Sequence, residues 1–119
     1  MKTPVIIEFF LAARSEKSKE KTIQRIKKTL DDEFQEIVLK IEDIQYQINI
    51  DAESWELTIF RVLQACQSLG RQWILSGDIN VEFTAWSNHP IIIGVESVGV
   101  SIENPTVMAT EVALCTPEI

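Results

Sequence analysis

Histidine and glycine are scarce in this sequence of 119 residues, and their scarcity excludes several kinds of active site. The one histidine, His89, would have to belong to any Ser-His-Asp or Cys-His catalytic set. It stands beside Pro90 in a segment with loop composition, and no G-x-S-x-G motif occurs. The four glycines are dispersed and form no phosphate-binding loop. We therefore predict no catalytic residue, no cofactor and no enzymatic activity.

Cysteine is also scarce, and the two cysteines do not form a CxxC motif. Cys66 and Cys115 both lie among apolar residues, which is typical of reduced core cysteines rather than of a disulfide framework. A zinc site would need both of them with His89 and a carboxylate, and the spacing does not support one. We predict no metal site.

Long apolar runs and a secretion signal are missing as well. The apolar run over residues 5–13 contains Glu8 and lacks a small-residue cleavage pattern. No segment approaches the roughly 18–20 apolar residues of a membrane helix. We expect a cytoplasmic protein without membrane contact, folded as a single α+β domain over residues 1–119.

Two segments have the hydrophobic spacing of amphipathic helices. The first covers residues 15–34, with Ser15 as the N-cap, although an alternative extends this helix through Ile41. The second covers residues 52–69, with Gly70 as a left-handed C-cap. More than half of the second helix's circumference is apolar, which predicts deep packing against a sheet. The apolar stripe of the first helix contains Ile23, Ile26, Leu30 and Phe34.

The remaining apolar residues alternate as in strands. Residues 5–11 are apolar on both faces, which is typical of a strand in the middle of a sheet. A bulge or a tight turn at Glu42-Asp43 interrupts the next alternation, and Gly77-Asp78 marks a hairpin turn or a glycine bulge. Residues 106–119 fit an edge strand, a short helix or a loosely held tail. The other predicted strands cover residues 37–41, 44–50, 73–85, 91–95 and 98–102, with a loop at 87–90.

The predicted order of elements is β-α-β(β)-α-β-β. Helices separated by strands, with consecutive strands near the C-terminus, favour an α+β fold with a mixed or mainly antiparallel sheet. We expect both helices to pack on one face of that sheet. The nearest analogy is a ferredoxin-like sandwich, and an analogy of fold carries no function with it.

Charge is distributed unevenly along the chain. Residues 1–28 hold eight bases and three acids, whereas residues 29–119 hold three bases and fifteen acids. A pI near 4.7 argues against nucleic-acid binding, because such domains usually have a pI above about 9. The acidic part is either a solvated surface or a surface that steers a basic partner.

Two further features leave alternatives open. Asp78, Asn80 and Glu82 share one face of a predicted strand, either as a cation or substrate site or as the wet face of that strand. The alternation of residues predicts that the Trp86 side chain points away from the core. It is then either an interface anchor or a side chain covered by the C-terminal segment. We expect Trp55 and Trp73 to lie in the core.

The functional prediction is a small acidic protein-binding module of the inhibitor or immunity type. Its partner would be a basic protein such as a bacterial toxin nuclease, with the module acting as a monomer or a homodimer. The alternative is a ligand-binding or enzymatic subunit of a small homo-oligomer, in which the apolar strand 91–95 pairs between chains. The predicted contact residues are Glu42, Asp43, Asp51, Glu53, Glu56 and Trp86.

Overall fold

A computed structural model describes residues 2–12 and 14–106, which form two α-helices and eight β-strands. The α+β class is therefore confirmed. The helices are α1 (Glu16–Glu33) and α2 (Trp55–Leu69). The strands are β1 (Lys2–Leu11), β2 (Val38–Glu42), β3 (Gln45–Asp51), β4 (Gly70–Arg71), β5 (Ile74–Asp78), β6 (Glu82–Ser87), β7 (His89–Pro90) and β8 (Val95–Glu103).

Six of the described strands form one sheet in the order β2-β3-β1-β8-β6-β5, and β4 pairs with β7 in a second, two-stranded sheet. All of these neighbouring strands are antiparallel. The strand β1 lies between β3 and β8, as its two apolar faces predict. A register shift between Phe10 and Leu11 accommodates the change of parity at the start of β8.

Both helices contribute to one core with the inward face of the sheet. On β1 that face carries Val5, Ile7 and Phe9, which are at most 1% exposed. Their neighbours on β3 and β8 are also buried and apolar, and the buried stripes of α1 and α2 join the same cluster. We call this the helix-covered face. The residues of opposite parity form the open face, which neither α1 nor α2 covers.

Each end of α1 has a local structural cause. The Ser15 hydroxyl accepts a hydrogen bond from the Ser18 backbone N–H, as an N-cap should. Phe34 has an extended backbone and is 7% exposed, so the helix stops where this ring enters the core. The alternative of a helix through Ile41 is wrong, since β2 begins at Val38.

The end of α2 differs from the predicted left-handed cap. Gly70 has φ −169°, which is extended backbone. The glycine allows a close approach there, because a Cβ would lie 3.0 Å from the Ser87 Oγ, which is a tight contact. The Trp73 indole N–H donates to the carbonyls of Cys66 and Gly70, each at 3.0 Å, and so satisfies the last turn. Trp73 is half-buried against the core.

The strands β5 and β6 form a hairpin whose turn comes later than Gly77-Asp78. The Val81 backbone N–H donates to the Asp78 carbonyl at 2.9 Å and closes the turn. Gly77 lies within β5 at φ +102°, where a Cβ would be 2.6 Å from the Glu82 carbonyl oxygen. Glycine is therefore required in the strand rather than in the turn.

The predicted loop at 87–90 and strand at 91–95 are wrong. His89–Pro90 pairs with β4, and residues 91–94 form a turn that contains Gly94 at φ +93°. This turn packs on α1, since a Cβ on Gly94 would collide with the Thr22 side chain. The alternation of Ile91 and Ile93 thus arises in a turn. Of the ambiguous segment 106–119, only Thr106 lies within the described residues.

Candidate protein-binding surface

Carboxylates gather where β1 begins. Asp51 ends β3 directly opposite Lys2, the first residue of β1. The strand β8 is antiparallel to β1, so its last residue, Glu103, lies at the same end of the sheet. Glu103 is opposite Glu82, and Glu82 is opposite Asp78, which forms a row of three carboxylates across the open face.

The start of α2 adds two more carboxylates to this end. The Trp55 indole N–H donates to the Ile79 carbonyl at 2.9 Å, and this bond holds the first turn of α2 beside the β5–β6 turn. Glu53 and Glu56 flank Trp55 and are exposed. Trp55 itself is 8% exposed, which confirms it as a core residue. We call the following exposed residues the acidic end: Asp51, Glu53, Glu56, Asp78, Glu82 and Glu103.

The acidic end is not arranged as a metal site. Within residues 2–12 and 14–106, no group of three or more His, Cys, Asp and Glu side chains is placed to hold a metal ion. The Asp78 carboxylate accepts the Asn80 backbone N–H at 2.9 Å, an interaction that shapes the turn. The prediction that Asp78, Asn80 and Glu82 share one face of a single strand is wrong. Asp78 ends β5, Asn80 lies in the turn and Glu82 begins β6, where it is the cross-strand partner of Asp78.

Two large exposed apolar side chains on α2 follow Glu53 and Glu56 in the sequence. Leu57 is 48% exposed and Phe60 is 63% exposed. They are three residues apart and so share a face of the helix, on which Glu56 precedes Phe60 by one turn. An apolar patch beside charged residues is typical of a protein interface, whose core is apolar and whose rim is polar. We call Leu57 and Phe60 the apolar pair.

Sequence reasoning missed the apolar pair because it assigned both residues to a deeply packed helix. The helix does pack on the sheet, but its wide apolar surface is not all buried. A helix that packs on one sheet buries one side, and α2 buries the side of Trp55, Thr58 and Val62. The helical spacing could have identified the apolar pair, because Leu57 and Phe60 lie outside that buried stripe.

Glu42 and Asp43 lie at the opposite end of the sheet, around the β2–β3 turn. Asp51 is the last of the seven residues of β3, so the length of this strand, about 20 Å, separates it from them. Asp43 is 3.2 Å from the Lys40 Nζ and 3.9 Å from the Lys19 Nζ, so its charge is locally balanced. The structure therefore brings Asp51, Glu53 and Glu56 together and leaves Glu42 and Asp43 apart from them.

Trp86 lies on the open face, as its parity predicts. Its ring centroid is 5.2 Å from that of Phe10, and a Cβ on Gly99 would lie 3.0 Å from the indole ring. The indole N–H donates to the Asn88 Oδ1 at 2.9 Å. Trp86 is four residues along β6 from Glu82, about 13 Å, and so lies away from the acidic end. The segment predicted to cover Trp86 lies outside the described residues.

An ion pair fastens the segment after α1 to α2. The Arg61 guanidinium donates to both carboxylate oxygens of Glu36, with Nη2 3.0 Å from Oε2. These hydrogen bonds hold the pKa of Glu36 below its usual value and raise the pKa of Arg61. Arg61 is thus engaged in holding the structure together.

A Cys-His catalytic set within the described residues would have to use Cys66 and His89. Burial raises the pKa of the Cys66 thiol to about 12, which keeps the thiol protonated at neutral pH. His89 is exposed in the short strand β7. No helix within the described residues is both long and apolar enough to cross a membrane.

No protein-family model, curated protein or solved structure matches this chain. The function is therefore inferred from the surface itself.

Proposed function

We propose that this chain is a small acidic protein-binding module that neutralises a basic partner, an inhibitor or immunity function directed at a protein such as a bacterial toxin nuclease. The observation that carries the proposal is the acidic end, with its six exposed carboxylates, together with the exposed apolar pair on the helix that begins at this end.

The two parts of this surface contribute different free-energy terms. The carboxylates attract a positively charged partner and raise the association rate by about 10- to 1000-fold at low salt. The apolar pair loses contact with water in the complex and slows dissociation. A partner that fits this surface presents Lys and Arg side chains around an apolar pocket.

We also propose a ferredoxin-like arrangement and a cytoplasmic location. The order β2-β3-β1-β8, with α1 and α2 connecting its strands, supports a ferredoxin-like arrangement to which the β5–β6 hairpin is added. A cytoplasmic location is supported by Cys66, which is buried and has no disulfide partner among the described residues.

The test compares charge reversal at the two ends of the sheet. The variant Glu53→Lys/Glu56→Lys alters the acidic end, and Glu42→Lys/Asp43→Lys makes the same change in net charge at the opposite end. The wild type should retain a basic protein from the source cell at low salt. We expect the opposite-end variant to retain it and the acidic-end variant to lose it.

Association kinetics with the purified partner complete the test. We expect the association rate to fall at least about tenfold as salt rises from about 50 to 500 mM. Phe60→Ala should mainly increase the dissociation rate, because it removes an apolar contact and no charge. Equal binding by the acidic-end variant, or an association rate that salt does not change, would show that the proposal is wrong.

A further inference from the structure

The two edges of the main sheet differ in how they discourage further strand pairing. At one edge, β2 carries Lys40 and a register shift between Lys40 and Glu42. Lysine and irregular register are common protections of edge strands. At the other edge, all five residues of β5 are exposed, and none of them is Lys, Arg or Pro. Its one charged residue, Asp78, is the last of the strand, and its register with β6 is regular through Gly77. Among the described residues, no strand pairs with the outer edge of β5.

We infer that a second copy of this chain binds to the edge of β5, so that the two β5 strands pair antiparallel around a two-fold axis at Ser76. Pairing centred on Ser76 uses the whole strand, since two residues lie on either side of it. The backbone N–H and C=O groups of this edge then bond to the second copy, and the two sheets become continuous.

The side chains of β5 are complementary in this register. Leu75 of one copy lies opposite Gly77 of the other, and the two-fold axis repeats this contact. Leu75 is 49% exposed in the single chain. Gly77 has no side chain, so the leucine of the second copy has room to cover the backbone at that position.

Charge complementarity favours antiparallel over parallel pairing of the two β5 strands. The Ser87 hydroxyl donates to the Arg71 carbonyl, which places Arg71 at the end of the sheet opposite the acidic end. Antiparallel pairing brings the Arg71 end of each copy towards the Asp78 turn of the other. Parallel pairing would instead align two rows of carboxylates, each containing Asp78, Glu82 and Glu103, at a cost in electrostatic repulsion.

The inferred contact is small, so dimerisation should be weak and dependent on concentration. Sedimentation equilibrium from about 10 µM to 1 mM should show the average mass rising from one chain towards two. Ser76→Glu places two carboxylates against each other at the axis and should weaken dimerisation at least about tenfold.

Leu39→Glu is the matched control at the other edge. Leu39 and Ser76 belong to the same cross-strand row of the open face, at its two ends, and both are exposed. The control adds the same charge to β2 and should leave dimerisation unchanged.

A cross-link tests the axis directly. In a Cys115→Ser background, Ser76→Cys should give a disulfide-linked dimer on mild oxidation, because residues on the axis have Cα atoms about 4.5–5.5 Å apart. Leu39→Cys should not. A monomer at 1 mM, equal weakening by the two glutamate variants, or cross-linking through position 39 alone would each overturn the inference. None of these substitutions alters the acidic end or the apolar pair, so this test and that of partner binding are independent.

Discussion

At the scale of single residues, Thr3 places a polar side chain in the core of the described structure. It is 0% exposed, and its hydroxyl oxygen has no hydrogen-bond partner among the described residues. It lies on the helix-covered face of β1, opposite Ile50. An unsatisfied buried hydroxyl costs about 1–3 kcal/mol relative to one that is bonded.

Replacing this hydroxyl with a methyl group should stabilise the protein. We expect Thr3→Val to raise the free energy of unfolding by about 1 kcal/mol, because it removes an unpaired polar group without changing the side-chain shape. Thr58→Val is the matched control, since Thr58 is also 0% exposed but donates to the Ser54 carbonyl at 3.0 Å. The control should lower the free energy of unfolding, measured with urea, by about 1 kcal/mol. Destabilisation by both substitutions would show that the Thr3 hydroxyl has a partner.

At the scale of elements, the Glu36–Arg61 pair joins the segment between α1 and β2 to the middle of α2. Both side chains are partly exposed, 17% for Glu36 and 33% for Arg61, so water screens their attraction. The bidentate geometry is nevertheless favourable. We expect the pair to contribute at the upper end of the range for surface ion pairs.

The contribution of this ion pair should depend on pH. Because the folded protein holds the pKa of Glu36 below its usual 4.5, the stabilisation is present above about pH 4.5 and is lost as pH falls through the lower, folded value. Glu36→Gln should cost about 0.5–1 kcal/mol at pH 7, and the difference from wild type should shrink in acid. Urea unfolding at several pH values measures this. Glu96→Gln, at an exposed position, controls for the loss of a charge, and a pH-independent difference would contradict the assignment.

At the scale of the whole molecule, the acidic end sets like charges against one another. Glu82 lies directly between Asp78 and Glu103 in the cross-strand register. Like charges at directly opposite positions destabilise a sheet. This repulsion is the cost to stability of gathering carboxylates at one end of the sheet.

Salt should reveal this repulsion. We expect Glu82→Gln to raise the free energy of unfolding by about 0.2–1 kcal/mol at low salt, and by less near 500 mM, because salt screens exposed charges. The Glu96→Gln variant serves again as the control, and its effect should stay close to zero. Chemical unfolding at the two salt concentrations gives the comparison. If Glu82→Gln destabilises the protein, the row is not repulsive.

Local patterns determined much of this fold. The spacing of Ile26 and Leu30, together with the Ser15 cap, predicts α1 and where it begins, because a helix satisfies its hydrogen bonds within one segment. The end of the helix stayed open between residue 34 and Ile41 until the structure placed β2 at Val38. The two apolar faces of residues 5–11 place β1 inside the sheet. Parity alone puts Trp86 on the open face.

Tertiary structure decided what local patterns do not encode. The direction in which Leu57 and Phe60 point depends on which side of α2 meets the sheet. The grouping of Asp51 with Glu103, and its separation from Asp43, depends on strand order, and strand order is set by contacts between residues distant in sequence. Periodicity states which side of an element is apolar, whereas only the packing of elements against one another determines which residues become neighbours.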